Sequence, residues 1–325
     1  MATSSLSGPP RGEQIFNRVA ILFAGGPAHL MEYSSGRALV EDKDYVDLDR
    51  RYLSRTRNRR GIMIGTARAN PGKMVSHPDH LTDAERVAPL KTVYEALRSI
   101  GVDALVSIGG DDTLKTANKF KLFQETLPID AHRIPVVHLP KTIDNDYRGI
   151  DFTFGYFTAV DFLAHEVRNL LADAEANNAY FLVESMGRSA GWLAYGVAIA
   201  GEASLVISVE DISGRYAQEE TVTDPQTGEK TSRKVMHLEN LVRRIVLTMK
   251  IREEQEKPFG VIVIAEGLAE MLPTSYIEGV SRDEHGHINI AAIKLHEVFA
   301  ELSRKEYQRT TGNSKKVTPL QLGYE

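Results

Sequence analysis

The chain contains no cysteine. That excludes disulfide bridges, thiolate-bound zinc and a cysteine nucleophile, and it fits a reducing compartment. Long apolar runs are missing too: no stretch approaches the ~18 residues that a membrane-spanning helix needs. The opening Met1-Ala2-Thr3-Ser4-Ser5-Leu6-Ser7-Gly8-Pro9-Pro10 lacks the hydrophobic core of a secretory signal. Basic charge is short as well, with 39 Lys+Arg against 44 Asp+Glu and a formal net charge of −5. No global positive field therefore argues for a nucleic acid or a membrane surface as partner. Two common phosphate-binding signatures are absent: Pro71-Gly72-Lys73 is followed by Met74 and lacks the upstream spacing of a Walker A loop, and there is no glycine-rich dinucleotide fingerprint. Neither an internal repeat nor a low-complexity block interrupts the chain. These absences point to a soluble, cytoplasmic protein.

What remains is ordinary globular material, 42% hydrophobic and 26% charged residues over a length of 325, enough for two domains at ~100–200 residues each. Its centre is the stretch Ala104–Asp146. Two apolar strands, Ala104–Ile108 and Ile134–Leu139, each run into an acidic turn: Gly109-Gly110-Asp111-Asp112-Thr113 and Pro140-Lys141-Thr142-Ile143-Asp144-Asn145-Asp146. In an open parallel sheet, ligands bind outside the carboxyl ends of the strands.

Around that centre the pattern alternates. Arg18–Pro27 reads as a buried strand closing on Gly25-Gly26, and Gly61–Arg68 as a short strand ending on an arginine. Thr82 with Glu85 suggests a capping box, and Val87, Leu90, Val93, Tyr94 and Leu97 recur at helical spacing up to Gly101. A further helix is expected from Thr113 to Phe120. A second series follows, with helices at about Phe157–Leu171, Trp192–Ala200, Leu238–Met249 and Ile288–Leu302. Its strands are expected at Ala179–Val183, Ser204–Val209, Phe259–Ala265 and Val317–Leu322. The β-α-β-α-β alternation predicts parallel sheets with right-handed crossovers. The expected layout is a short disordered tail over 1–14, an α/β lobe over 15–155 and a second α/β lobe over 156–325. Residues 211–236 show turn chemistry without an apolar period and read as a surface excursion.

Single aspartates in turns usually bond to local backbone. Two neighbouring strand ends with two carboxylates each are harder to explain that way, because like charges held close repel unless a cation joins them. Oxygen donors without a histidine cluster favour Mg2+, which takes one or two carboxylates plus substrate phosphates. Lys141, Arg68 and Arg188 each stand just beyond a strand, where they suit clamps on an anionic substrate and on a moving phosphoryl group. Phosphoryl transfer is the chemistry these residue types support. A purely structural pairing of Lys141 with Asp112 would use the same residues.

The motifs Gly109-Gly110-Asp111-Asp112-Thr113, Pro140–Asp146, Met186-Gly187-Arg188, Ala265-Glu266-Gly267 and Gly61–Arg68, in this order, resemble those of the phosphofructokinase family over roughly residues 18–325. The resemblance implies an α/β fold of two Rossmann-like lobes with mostly parallel sheets, and transfer of a phosphoryl group to the 1-hydroxyl of fructose 6-phosphate. By motif, Asp144 would be the general base and Asp111 a magnesium ligand, with Asp146 supporting the metal shell. Thr142, Ile143, Asp144, Met186, Gly187, Arg188 and Glu266 would hold the sugar phosphate, with Tyr324 and Glu325 at the approach to a further substrate motif. Arg68 would meet the transferring phosphate, and Gly25 the donor's phosphates. Asp112 and Lys141 resemble the pair of the pyrophosphate-dependent members: a carboxylate at Asp112 would repel the α-phosphate of ATP, and Lys141 suits a small polyanion. Pyrophosphate is thus the implied donor, the reaction close to reversible, and the assembly a homodimer or homotetramer.

The chain also departs from that family. Ala28 runs directly into His29-Leu30-Met31-Glu32-Tyr33, so a segment after the first strand is missing, and with it a helix N-terminus that would bind anions. The sequence ends at Gly323-Tyr324-Glu325, without the basic residue and the C-terminal elements that follow in the family. Both departures predict an open sheet face and poor stability as an isolated monomer. Two alternatives follow: an ATP-dependent 6-phosphofructokinase using the same residues, and a truncated non-catalytic paralogue that binds sugar phosphate.

Overall fold

The chain divides between Lys141 and Thr142 into two units, each built on parallel strand pairing. The structure, a computed structural model, describes residues 18–22, 70–223, 230–277 and 293–323. The strand expected at Gly61–Arg68 lies outside them.

In the first unit β1 (Val19–Leu22), β2 (Ala104–Gly109) and β3 (Val136–Thr142) pair in that order and in parallel, with Val19 opposite Ala104 and Leu105 opposite Val136. Helix α1 (Ala84–Ser99) precedes β2, and α2 (Asp111–Glu125) follows it. The apolar stripe of α1, with Val87, Leu90, Val93 and Leu97, packs against Phe120 and Phe123 of α2 and Leu105 of β2. Removing each such side chain from water contributes roughly 1.5–3 kcal/mol. On the opposite sheet face Val19, Ile21, Val137 and Leu139 are exposed, Val137 by 59%. Gly101, at φ +75°, takes the chain out of α1 as expected. The cap at its start sits one residue later than expected. Asp83 accepts from the N–H groups of Glu85 and Arg86 at 3.0 and 3.3 Å, while the Thr82 hydroxyl donates to the Asp79 carbonyl. Aspartate outranks threonine as an N-cap, so the neighbour takes the role.

The second unit begins with the short β4 (Phe154–Gly155) and the long α3 (Tyr156–Asn177). It continues through β5 (Tyr180–Ser185), α4 (Trp192–Ala200), β6 (Leu205–Ile207), β7 (Ala217–Thr223), β8 (Lys230–Met236) and α5 (Leu238–Glu254). β9 (Gly260–Ala265), a single turn α6 (Thr274–Ile277), α7 (Leu295–Thr311) and β10 (Val317–Leu322) complete it. Its sheet has the order β10-β5-β9-β6, all parallel. Both central strands are buried along their whole length, which is why they read as continuous apolar runs. Tyr180, Leu182, Ile262 and Ile264 face a core shared with α5 and α7. Phe181, Val183, Val261, Val263 and Ala265 face another, shared with α3 and α4. Period-two alternation thus sends successive side chains to two helix layers, the doubly wound arrangement that the sequence predicts.

Two expectations change here. Residues 211–236 are more than a surface excursion, because β7 and β8 form an antiparallel hairpin and Ile212, Val235 and Met236 are fully buried. The turn-forming residues at its centre fall in 224–229, outside the described residues. The last helix begins at Leu295 and runs to Thr311 rather than stopping near Leu302. The polar run after Leu302 hid the continuation, but Ser303 and Tyr307 still face the core, and Gly312 at φ +74° provides the stop.

Candidate active site

Each unit brings part of the expected constellation to the carboxyl ends of its strands. In the first unit β2 turns into α2 at Gly109-Gly110. Gly109 has no room for a side chain, since a Cβ there would lie 2.4 Å from Thr113 Oγ1. Gly110 is the N-cap, and Asp111 and Asp112 occupy the first turn, where the helix dipole favours negative charge. Both carboxylates meet Lys115, at 2.5 Å from Asp111 and 3.6 Å from Asp112. Asp111 above all holds the Lys115 ammonium above its ordinary range. Sequence reasoning missed this lysine, although its i+3 and i+4 spacing was visible. The residue expected as partner of Asp112, Lys141, is exposed at the end of β3 and makes no ion pair among the described residues.

Asp111 offers a half-exposed hard oxygen donor. Among the described residues no group of three or more His, Cys, Asp or Glu could hold a metal ion by itself. That donor set fits Mg2+ when substrate phosphates complete the shell, and it does not fit an all-protein cage.

The second unit holds the other acidic turn. Thr142 Oγ1 accepts from the Asp144 N–H at 3.2 Å, and the Thr142 carbonyl accepts from Thr153 Oγ1 at 2.7 Å. Asn145, left-handed at φ 54°, accepts from the Thr153 N–H at 2.8 Å and donates to the Asp151 carbonyl. The turn is thereby pinned at both ends to 151–153. Burial, reinforced by the Asp146 charge and opposed by the Thr142 hydroxyl, pushes the Asp144 carboxyl above its usual range. Ile143 packs with Met186 against the α3–α4 core.

The turns after β5 and β9 interlock. Gly187, at φ +121°, donates its N–H to Glu266 Oε1 at 3.2 Å, and Gly267 donates back to the Gly187 carbonyl at 3.2 Å. Arg188 Nε donates to Glu270 Oε1 at 2.8 Å, and the Gly191 N–H to Glu210 Oε1 at 2.8 Å. Burial also raises the Glu266 carboxyl; the Gly187 N–H lowers it, and the charges of Asp144 and Glu184 raise it further. Asp144, Glu184 and Glu266 are therefore one electrostatic group. Glu184 was not expected in the site. Its side chain is 1% exposed, and its Oε2 meets both the backbone N–H and Nδ1 of His296, at 3.1 and 2.6 Å. A glutamate ending an otherwise apolar strand was the one available signal, and its partner is 112 positions away in sequence. Glu270 was missed as well. Arg68, Gly25, Tyr324 and Glu325 lie outside the described residues.

A doubly wound sheet with glycine-rich and acidic turns at its strands' carboxyl ends places the chain among α/β proteins that bind ligands at those ends. The family model for phosphofructokinase matches residues 28–318, and the chain belongs to the phosphofructokinase family. It is 32% identical to a Naegleria fowleri protein named pyrophosphate–fructose 6-phosphate 1-phosphotransferase, over 88% of this chain and 60% of that one. A Thermotoga maritima protein of the same name is 30% identical over 90% of this chain and 63% of its own. An ATP-dependent 6-phosphofructokinase of Corynebacterium efficiens is 31% identical over 78% of this chain and 58% of its own. The chain thus spans only about three-fifths of these relatives' length. Among solved structures, phosphofructokinase from Pichia pastoris in the T-state aligns with a TM-score of 0.58 at 21% identity, over 97% of this chain and 30% of that one. The Saccharomyces cerevisiae enzyme aligns with a TM-score of 0.51 at 22% identity, over 81% and 29%. Both share the α/β fold.

Proposed function

We propose that the protein transfers a phosphoryl group from pyrophosphate to the 1-hydroxyl of fructose 6-phosphate, giving fructose 1,6-bisphosphate and phosphate reversibly in the cytoplasm. The observation that carries this reading is the electrostatic group of Asp144 and Glu266, a partly buried carboxyl of raised basicity beside the carboxylate that fixes Gly187. As the sugar oxygen attacks phosphorus, Asp144 takes its proton. The bridging P–O bond of pyrophosphate breaks, and phosphate leaves with the bond's electrons.

Thr142, Ile143, Met186, Gly187, Arg188, Glu266, Tyr324 and Glu325 hold the sugar phosphate in this reading. Lys141 and Arg68 offset the charge of the moving group, Gly25 lies against the donor, and Asp112 disfavours ATP. Asp111 would hold Mg2+, whose charge, when it is bound, neutralises the phosphates. The pyrophosphate-dependent relatives support this donor. The assembly proposed is a homodimer or homotetramer, to which exposed Phe152, Phe154, Phe157 and Trp192 lend support.

Supplying fructose 6-phosphate with either pyrophosphate or ATP and following fructose 1,6-bisphosphate tests the reading. Turnover with pyrophosphate that Asp144→Ala abolishes is expected, and turnover with ATP alone would overturn the donor. ATP is the second reading, favoured by the ATP-dependent relative.

A further inference from the structure

The loop that carries Arg188 is held by a turn in which Glu270 has no role so far. That turn, Glu266–Met271, follows β9 as a 3-10 helix and touches the loop at three residues. Glu266 takes the Gly187 N–H, Gly267 donates to the Gly187 carbonyl, and Glu270 takes Arg188 Nε. A Cβ on Gly267 would lie 2.0 Å from the Arg188 carbonyl oxygen, so the two backbones are in contact. The far end of the turn is anchored in its turn. Arg233 Nη2 donates to the Leu272 carbonyl at 2.7 Å, and Glu220 fixes that guanidinium at 2.9 Å. The β7–β8 hairpin thus braces the turn that braces the loop.

Arg188 is bound on one edge only. Its Nε is satisfied at 2.8 Å, whereas Nη2 is buried and has no hydrogen-bond partner among the described residues. A guanidinium presents five donors in a rigid fork that matches a phosphate bidentately. A buried donor without an acceptor is an unmet demand that favours an anionic ligand. Anchoring at Nε also fixes the plane of the fork before any ligand arrives, reducing the ordering cost of binding.

We propose that Glu270 is a positioning residue, which holds Arg188 by its Nε edge and thereby aims the Nη edge at the phosphate of the sugar substrate. The proposal rests on the reading that fructose 6-phosphate binds at Met186–Arg188. The competing possibility is a half-exposed ion pair of little consequence, as most such pairs are.

The test uses the full chain, with steady-state kinetics and calorimetric binding of fructose 6-phosphate to wild type, E270Q, E270A, R188A and R188A/E270A. E301Q, on the exposed face of α7, serves as the neutral control. E270A is expected to raise KM and Kd for fructose 6-phosphate about tenfold, the scale of one charge-assisted hydrogen bond. Its kcat should stay within about twofold, KM for pyrophosphate should not move, and E270Q should show a smaller loss in the same direction. Because Glu270 acts through Arg188, E270A should add nothing in the R188A background. Thermal unfolding of E270Q within about 2 °C of wild type separates positioning from misfolding. An unchanged KM in E270A, or additive losses in the double variant, overturns the role of Glu270 while leaving the proposed activity standing. A wild-type chain that neither turns over nor binds fructose 6-phosphate overturns both.

Discussion

The backbone N–H of Gly187 donates to Oε1 of Glu266 across 3.2 Å, although the two residues are 79 positions apart in sequence. The bond joins the turns that leave β5 and β9, which are hydrogen-bonded neighbours in register from Tyr180–Gly260 to Ser185–Ala265. Parallel pairing delivers both turns to the same end of the sheet. A carboxylate on one turn can therefore organise the backbone of the other.

Gly267 cannot gain a methyl group without moving the loop it touches. Gly267→Ala places a Cβ 2.0 Å from a backbone oxygen, which no rotamer change relieves. We expect a loss of about 1–3 kcal/mol, as for overpacking elsewhere, seen as a lower Tm. A raised KM for fructose 6-phosphate should accompany it. An unaltered Tm would contradict the contact.

Asp144→Asn separates stability from activity. Loss of the proposed base should lower kcat by about 10²–10⁴. Stability should rise, because the carboxyl is held above its usual range by burial and by Asp146. Between the ordinary and the raised value the folded protein keeps a proton that the unfolded chain has lost. The stability linked to this group is full below the ordinary value and falls as pH rises through the raised one. The Tm advantage of the asparagine variant should accordingly vanish in acid and grow as pH climbs through that window. Turnover of the wild type should rise over the same interval, as Asp144 ionises. A variant no more stable than wild type at neutral pH would refute the electrostatic argument.

His296→Ala should destabilise the second unit more than an ordinary surface change. Glu184 is 1% exposed and leans on His296 through the ring and the backbone. Removing the ring leaves a buried carboxylate short of a partner, at a cost of about 3–5 kcal/mol. Glu184→Gln should cost less, since the amide oxygen still accepts from the His296 N–H. Chemical denaturation distinguishes the two, and equal losses would speak against the charge as the cause.

Asp112→Gly bears on the choice of donor. The side chain is 86% exposed and lies 3.6 Å from Lys115, which keeps Asp111 as its closer partner. The fold should lose only about 1–2 kcal/mol, from a glycine in the first turn of α2 and the lost charge at the helix N-terminus. The ratio of kcat/KM for ATP to that for pyrophosphate should rise; a constant ratio would remove Asp112 from donor selection.

The parallel sheets, the acidic ends of β2 and β3, and the Met186–Arg188 and Glu266 turns could be read from the chain because they depend on local pattern. Apolar runs, glycine pairs and the residues next to them lie together in sequence. The Glu184–His296 pair and the hold of Glu270 on Arg188 could not, because each joins residues 112 and 82 positions apart. Glu270 also stands in a 3-10 turn without periodicity. The Thr82–Glu85 spacing points to a cap one residue too early, because Asp83, the better N-cap by chemistry, takes the helix start. The β7–β8 hairpin was overlooked because polar residues dominate it and only its ends, at Val235 and Met236, enter the core.

The second sheet is bounded by β10 and β6, leaving β5 and β9 in its interior. Strands so placed exchange their amide hydrogens last, since releasing them requires the whole unit to open. The loops that grip Arg188 and carry Glu266 grow directly from those two strands. The roots of both loops are therefore tied to the strands that are released last, and a ligand held there would add its binding energy to the opening cost of the whole unit.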